Sequence, residues 1–479
     1  MEGYDGKLLG AMFAQPSFQR RYGERLEDGS YQVTSAWQAG LGNGSSVGGL
    51  MGLLIAGWIS ERFGFRKTMI GGLFLMVVFI FVQFLATSLA VLEVGQILLG
   101  IPLGMFQTVT THYAVEVTPA CLRGYLTTYV NLCWVFGQLL AAGVMRAMLA
   151  RTDEWSYKIP FAIQWIWPVP LMIGCYFAPE SPWWLIRKNK PEEAKGALVR
   201  LTSNSRVGVN FDVDKTVALM TVTTEYERGI DESATYFTLF KRVNLRRTLI
   251  VQGIYCTQSL SGAGFRNYST YFYTQAGLSA DWSFNMSIIQ YGLGILGTFA
   301  AWFLLPRVGR RTFFIWGLAV TVMIHCVTGG VGFGIAHYKS STLSWVAGSM
   351  ILLYTTVYDT TVGPIAYALV AEIPSGMLRS KSIVVARSTY NILGIVLGTI
   401  TPYMLNPSSW NWGAKSGLFW AGTAFIALVF AFFCIPETKD RTFAELDVLF
   451  DRKIPARHFS ETMVNLSELT HEKGLEYDV

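Results

Sequence analysis

The sequence predicts an all-α membrane protein of twelve spanning helices, arranged as two halves of six. Of its 479 residues, 52% are hydrophobic and only 15% are charged, whereas soluble proteins carry about 25% charged residues. Stretches without charge recur along the chain and are long enough to cross a bilayer, which takes about 20 residues. Three short motifs also occur twice at nearly the same spacing, which indicates an internal duplication.

The positions of charged residues locate the individual spans. Residues 8–19 form only a fragment of a span, so the first of the twelve helices is expected to be incomplete at its N-terminal end. The complete stretches without Asp, Glu, Lys or Arg are 29–60, 68–92, 94–115, 124–145, 159–179, 248–265, 282–306, 312–338, 340–358, 388–414 and 416–436.

Basic residues are more frequent in the loops on one side of the predicted membrane. Arg62 and Lys67 follow the second helix, and Arg307 and Arg310 follow the eighth. Because cytoplasmic loops carry an excess of Lys and Arg, this side, the long middle segment and both termini are expected in the cytoplasm.

The chain has two polar segments, one in the middle and one at the C-terminal end. The middle one is expected to form short helices, because PEEAKGALVRL begins with proline and acidic residues, as helices often do. The predicted domains are an N-terminal six-helix bundle with helix 1 incomplete (1–179), a cytoplasmic linker (180–247), a C-terminal six-helix bundle (248–436) and a cytoplasmic tail that is partly disordered (437–479).

The sequence argues against several classes of protein. A net charge of +6 is too small to indicate binding to nucleic acid. The sequence has no phosphate-binding glycine loop, no metal-ligand cluster and no nucleophile–His–Asp set. We therefore expect a protein without cofactor or metal that is not an enzyme.

The repeated motifs describe how the two halves are related. EVTPACLR recurs as EIPSGMLR, PES as PET, and RFG as RVG. Such parallel repeats are typical of transporters whose binding site lies between the halves, near the middle of the membrane.

Carboxylates and arginines in these motifs are expected to form a gate at the cytoplasmic ends of the helices. Glu116 and Glu372 are predicted to pair with arginines such as Arg62 and Arg307 in one conformational state and to lose them in another. The alternative is that these charges only set topology. The predicted gate residues are Glu61, Arg62, Glu116, Arg123, Arg307, Arg310, Glu372 and Arg379.

Charged residues inside the spans are the sharper signal, because each is costly in lipid and is usually functional. Glu2 and Asp5 are three residues apart and share a face of a helix. Burial favours the protonated form of a carboxyl group, so both are candidate proton-coupling residues. Arg266, Asp359 and Arg387 are also predicted to lie within the membrane, in roles that the sequence leaves open.

The motifs resemble those of a known family. GWISERFGFRK, LLPRVGRR, EVTPACLRG, PESPWW and PETKDRTFAEL are similar to the sugar porter family of the major facilitator superfamily. MEGYD, GYLTTYVNLCW, QWIWPVPL, NYSTYF, VYDTTVGP and TPYMLNPSSWNWGAKSGLFWAG resemble the fungal maltose permeases, which are α-glucoside:proton symporters.

The resemblance implies a monomeric protein of the plasma membrane that takes up an α-glucoside such as maltose together with a proton, by alternating access. It implies that Asp5 is the proton-coupling residue. In sugar symporters an arginine often stands where this chain has Gln96, so Asp5 is expected to lack a charged partner. Arg266 either replaces that partner or only extends its side chain to the membrane surface, and both interpretations stay open. A non-transporting sugar sensor or inactive paralogue, and a hexose facilitator, are the alternatives.

The resemblance also implies a set of sugar-binding residues. They are Gln138, Gln258, Ser259, Tyr367, Tyr390 and Asn391. Hexose carriers commonly have larger residues at the positions of Ser259, Gly264 and Tyr367. The smaller residues predict a wider pocket, with space beside Gly264 for the second ring of a disaccharide, and Gly264→Asn with Ser259→Gln is expected to shift preference toward a single ring.

Overall fold

The structure, a computed structural model, describes residues 1–26, 29–117, 120–202, 212–231, 236–305, 307–338, 340–374, 378–439, 441 and 443–462. Residues 440, 442 and 463–479 of the predicted tail therefore lie outside the described residues. The one small sheet pairs β1 (Glu24–Arg25) with β2 (Tyr31–Gln32) in antiparallel register.

The described chain is otherwise helical. The N-terminal half contains α1 (Glu2–Met12), α2 (Pro16–Tyr22), α3 (Ser35–Phe63), α4 (Phe65–Phe84), α5 (Leu89–Val117), α6 (Ala120–Met148), α7 (Trp155–Ile163) and α8 (Pro168–Phe177). The middle segment contains α9 (Pro182–Arg187), α10 (Pro191–Leu201) and α11 (Val213–Asp231).

The C-terminal half repeats the pattern. It contains α12 (Arg242–Leu260), α13 (Ala263–Asn267), α14 (Ser269–Gln275), α15 (Ala280–Leu304), α16 (Arg310–Tyr338), α17 (Ser341–Thr360), α18 (Val362–Glu372), α19 (Arg379–Leu405) and α20 (Gly417–Cys434), and α21 (Phe443–Asp451) follows. Single 3-10 turns lie at Gln164–Ile166, Tyr236–Phe240, Gly413–Ser416 and Ala456–His458. The helix α12 begins at Arg242, whereas the C-terminal bundle was predicted to begin at residue 248. The domain boundaries stay a prediction.

Nine spans among the described residues are long and apolar enough to cross a membrane. The three remaining predicted spans are short or broken. The helix α1 has 11 residues. The helix after α12 restarts beyond Gly262, whose φ of 112° interrupts it. The helix α17 ends at Thr360, just before the Gly363-Pro364 pair of α18. Broken helices expose backbone groups near the centre of a transporter, where ligands bind.

Glycines allow the helices α3 and α5 to pack closely. A side chain on Gly48 or Gly52 would meet the backbone of Ile97 or Ile101, and one on Gly104 would meet the backbone of Gly49. Small residues at such a contact let two backbones approach. These glycines therefore hold α3 and α5 in close contact.

The two halves meet along several helix pairs. The helix α6 packs against α15 and α18, α19 packs against α3, and α1 packs against α14. We call the end of the bundle that carries α2 and the two strands the hairpin end, and the end that carries α9 to α11 the linker end.

Hydrogen bonds and an ion pair join the halves at the hairpin end. Ser35 Oγ lies 2.6 Å from Ser409 Oγ, and Asn406 Nδ2 donates to the carbonyl of Val33 at 2.9 Å. Arg146 Nη2 lies 3.0 Å from Asp281 Oδ1. This end of the interface between the halves is therefore held closed.

Candidate functional site

A charged cluster crosses the interface between the halves. Gln107 of α5 donates a hydrogen bond to Glu2 Oε1, and its own Oε1 accepts one from Arg387 Nε at 3.0 Å. Arg387 Nη2 lies 3.7 Å from Glu2 Oε1. An amide donates and accepts at once, so Gln107 bridges the carboxylate of one half and the guanidinium of the other.

Aromatic rings surround the guanidinium of this cluster. Arg387 is 7% exposed, and its Cζ lies 4.7 Å from the centre of the Tyr390 ring and 5.4 Å from that of Tyr255. The Tyr255 ring in turn contacts Tyr390 and Tyr367, at centroid distances of 5.9 and 6.4 Å. The structure thus brings together three of the predicted residues: Arg387, Tyr367 and Tyr390.

Asp5, one turn after Glu2 on α1, has a different hydrogen-bond partner. It is buried, and its Oδ1 accepts a hydrogen bond from Gln164 Nε2 at 3.1 Å. A small cavity beside it is lined by Tyr4, Gln164 and Trp167. Gln96 is fully buried next to it. The neighbours of Asp5 in this region are amides, so Asp5 and Glu2 have different partners although they lie one turn apart.

Lys7 is a buried charge that the sequence analysis missed. It is 0% exposed. Its Nζ donates to Ser269 Oγ at 2.7 Å, lies 3.5 Å from the Asn267 carbonyl and is 5.3 Å from the centre of the Tyr291 ring. Its position two residues after Asp5, at the start of an apolar run, was the available signal. Lys7 ties α1 to α14 of the other half.

Arg266 and Asp359 belong to a third buried group. Arg266 Cζ lies 4.1 Å from the centre of the Tyr358 ring, and its charge acts on Asp359. Asp359 is buried at the contact between α15, α17 and α6, close to Asn131. The idea that Arg266 replaces the missing partner of Asp5 is wrong, because the chain carries its guanidinium toward Tyr358 instead.

The other predicted sugar-binding residues are buried on the expected helices. Gln258 Nε2 donates to the carbonyl of Gly363, in the first turn of α18, at 3.4 Å. Asn391 faces Gly49 of α3, and its Nδ2 has no hydrogen-bond partner among the described residues. Ser259 lies beside Gln258 on α12, and Gln138 lies on α6. Among the hydrogen bonds of the described residues, none joins Gln138 to Tyr255, Tyr367 or Tyr390.

The expected space beside Gly264 is absent in the structure. A side chain on Gly264 would meet Trp420 Cζ2 and Thr401 Oγ1. Trp420 is fully buried and fills this region. The wide-pocket argument from Gly264 is therefore wrong, and Gly264→Asn is expected to disturb packing rather than to change the preferred sugar.

The predicted gate residues pair differently from the expectation. Glu116 Oε1 lies 2.9 Å from Arg187 Nη2, and Glu116 Oε2 accepts a hydrogen bond from Ser181 Oγ. Arg187 Nε lies 3.9 Å from Glu61 Oε1. In this conformation Glu116 pairs with Arg187 and not with Arg62, because α9 follows the PES motif directly and brings Arg187 over the end of α5. The pairing with Arg62 in another conformational state stays a prediction.

The remaining gate residues lie in the corresponding positions of the two loops. Arg62 stacks on Trp58 at 5.3 Å. Glu372 Oε1 lies 3.6 Å from Arg310 Nη2, so in this conformation Glu372 pairs with Arg310 instead of Arg307. The carbonyl of Arg307 accepts a hydrogen bond from Lys439 Nζ at 3.1 Å. Arg379 begins α19. The side chain of Arg123 lies outside the described residues.

Two more carboxylates escaped the sequence analysis. Glu180 Oε1 accepts from the backbone N–H of Phe65 at 3.0 Å, and Glu180 Oε2 accepts from that of Arg66 at 3.2 Å. Glu437 accepts in the same way from the N–H groups of Arg310 and Arg311, at 2.8 and 3.1 Å. Burial raises the pKa of the Glu180 carboxyl, although these N–H groups oppose the shift. The signal was the repetition of PES as PET.

Known proteins resemble this chain over nearly its whole length. Residues 1–450 match the family model described as "Sugar (and other) transporter". The general alpha-glucoside permease of Saccharomyces cerevisiae is 44% identical over 468 residues, which cover 97% of this chain and 75% of the permease. The maltose permease MAL31 of the same yeast is 41% identical over 472 residues, covering 97% and 76%.

Solved structures share the fold. The proton:xylose symporter XylE, bound to 6-bromo-6-deoxy-D-glucose, matches with a TM-score of 0.73 and 20% identity over 94% of this chain and 96% of that chain. A partially occluded inward open conformation of XylE from E. coli also gives 0.73, over 92% and 96%. The described helices form two halves that share the fold of XylE, a protein of the major facilitator superfamily. With buried charges between these halves and a family model matched over residues 1–450, this protein belongs to the sugar transporter family.

Proposed function

We propose that this protein carries an α-glucoside such as maltose together with a proton, by alternating access between its two halves. The observation that supports it best is the Glu2–Gln107–Arg387 bridge, which links a carboxylate of α1 to a guanidinium of α19. The named relatives are permeases of α-glucosides and maltose.

In this proposal the bridge couples protonation to the separation of the halves. Protonation of Glu2 removes its charge from Arg387, and the attraction that holds α1 to α19 weakens. A ligand or proton shifts a conformational equilibrium only through such a difference between states. Asp5 lies one turn further along α1, beside a small cavity, and is proposed as a proton-coupling residue together with Glu2.

The sugar is proposed to bind beside this bridge. The Tyr367 and Tyr390 rings offer apolar faces, and the amides of Gln258 and Asn391 offer donors and acceptors for hydroxyl groups. The buried Nδ2 of Asn391, which has no partner among the described residues, is a donor available to the sugar. Gln138 and Ser259 are retained as proposed contacts, from α6 and α12.

The protein is proposed to be a monomer in the plasma membrane. Its linker end is proposed to face the cytoplasm. The bonds at the hairpin end then shut the site off from the outside. Glu61, Glu116 and Arg187 in one half, and Arg310 and Glu372 in the other, would rearrange when the linker end closes.

The test is uptake of labelled maltose into proteoliposomes with an acidic exterior. Asp5→Asn is expected to abolish accumulation driven by the proton gradient while exchange of maltose across the membrane continues. Asp153→Asn, a change of an exposed aspartate at the hairpin end, serves as the control and should transport normally. Proton-driven uptake that is undiminished in Asp5→Asn would remove Asp5 from the mechanism.

Competition distinguishes the substrates. Unlabelled maltose is expected to inhibit uptake far better than glucose, because a second ring adds hydrogen bonds, each worth about 0.5–1.5 kcal/mol. Better inhibition by glucose would favour the hexose facilitator, and binding of maltose without any uptake would favour the sensor.

The amide surroundings of Asp5 favour one alternative, a carrier that is only weakly coupled to protons. Gln96→Glu places a second carboxyl group beside Asp5. If coupling is weak, this change is expected to increase the protons taken up per sugar, and an unchanged ratio would contradict it.

A further inference from the structure

An apolar groove runs along the outer surface of the C-terminal half, between α16 and α20. It has a volume of about 340 Å³, and its walls include Ile315, Trp316, Leu428, Val429, Phe432 and Phe433. Trp316 is 64% exposed and Phe433 is 54% exposed. Because α16 begins and α20 ends at the linker end, the groove lies in the membrane leaflet on that side.

Two guanidinium groups stand at the end of the groove where the membrane gives way to water. Arg311 Cζ lies 5.7 Å from the centre of the Phe432 ring, and Arg457 Cζ lies 5.1 Å from the same ring. Arg457 is also 4.5 Å from the Phe433 ring. Two like charges therefore share one wall residue of the groove.

The fold holds each of these arginines in place. Arg311 Nη2 donates to the carbonyl of Phe432 at 2.8 Å. Arg457 lies on the 3-10 turn Ala456–His458, and the neighbouring Phe459 is fully buried against Phe450 at a centroid distance of 5.1 Å. The last described segment thus folds back against the helices and places the guanidinium of Arg457 at the groove.

One carboxylate lies nearby and must be considered. Glu437 is close enough to Arg311 to offset part of its charge. Its oxygens already accept hydrogen bonds from the N–H groups of Arg310, Arg311, Thr438 and Lys439. The Glu437 carboxylate is thus occupied by backbone donors, while Arg457 remains exposed to solvent.

We propose that this groove binds one acidic phospholipid. An acyl chain lies against Trp316, Val429 and Phe433, and the phosphate meets Arg311 and Arg457. Guanidinium groups match phosphate oxygens in geometry, and basic residues near an anionic leaflet each contribute about 1 kcal/mol. Charge complementarity selects an acidic lipid, because its headgroup carries a net negative charge, whereas a zwitterionic headgroup has no net charge.

The test uses the full chain, purified in detergent with equal amounts of phosphatidylserine and phosphatidylcholine, and counts retained lipids by native mass spectrometry. The unaltered protein is expected to retain phosphatidylserine in preference. Arg457→Gln is expected to reduce that retention about fivefold. The control Arg452→Gln removes an exposed arginine from the same segment and should leave retention unchanged.

Two further arms separate the parts of the site. Val429→Trp fills the groove without a change in charge and is expected to lower retention as well. Soluble glycerophosphoserine in excess should not displace the lipid, and displacement would show a headgroup site without a chain-binding groove. Equal retention of the two lipids by the unaltered protein, or unchanged retention in Arg457→Gln, would overturn the proposal. These outcomes do not depend on which sugar is carried.

Discussion

The two halves of the molecule use the same device at the linker end and then differ in how they complete it. In each half a glycine, Gly64 or Gly309, precedes a helix whose first N–H groups are capped by a carboxylate from the end of that half. A carboxylate at a helix N-terminus is favoured by the helix dipole. The repeated motifs therefore encode a cap that fixes α4 and α16.

The difference lies in the backbone of the glycine and in the ion pairs. Gly64 has a φ of 89°, whereas Gly309 is not in the left-handed region. Glu116 pairs with Arg187, which comes from the linker, whereas Glu372 pairs with Arg310 of its own loop. The duplicated motif thus sets the cap, while the segment that follows each half sets the ion pair.

The largest expected effect comes from the two glycines. Gly64→Ala is expected to lower the free energy of unfolding by about 3 kcal/mol. A non-glycine residue with the positive φ of Gly64 costs roughly 1–3 kcal/mol, and the alanine side chain would also meet Glu180. Gly309→Ala displaces only the Glu437 carboxylate and should cost less. Thermal unfolding in detergent, followed by tryptophan fluorescence, measures both. Equal losses would show that the backbone of Gly64 is not the cause.

The caps themselves are expected to be equivalent. Glu180→Gln and Glu437→Gln each remove a negative charge from a helix N-terminus, which is worth about 0.3–1 kcal/mol. The two variants should therefore lower the melting temperature by similar amounts. A much larger loss in one half would mean that its carboxylate has a further role, and Glu461→Gln, a change of an exposed residue, provides the baseline.

The comparison also shows what the sequence reveals and what it does not. The fold class and the family were predictable and are confirmed, because charge gaps and repeated motifs are local patterns that survive in any arrangement of the helices. The repetition of PES as PET was visible in the sequence, but it was interpreted only as a sign of duplication and not as a role for Glu180 and Glu437. It did not say that they accept from backbone N–H groups, because that depends on how the loops fold together.

Contacts between distant segments were the part that the sequence could not supply. Gln107 is an ordinary amide in an apolar span until α1 and α19 place Glu2 and Arg387 on either side of it. The space expected beside Gly264 is filled by Trp420, more than 150 residues away. A residue's size predicts a cavity only when its neighbours are known.

The smallest expected effect concerns the ion pairs. Both are partly exposed, and such pairs contribute less than about 1 kcal/mol. Arg187→Gln removes a contact of 2.9 Å to Glu116 and a longer one to Glu61, whereas Arg310→Gln removes one contact of 3.6 Å to Glu372. We therefore expect Arg187→Gln to change the balance between open and closed linker ends more, by up to about fivefold. Distances between spin labels at the linker ends of α4 and α16 report that balance, and Arg187→Lys should restore part of it. A larger effect of Arg310→Gln would contradict the expectation that the ion pairs of Arg187 contribute more to the gate than that of Arg310.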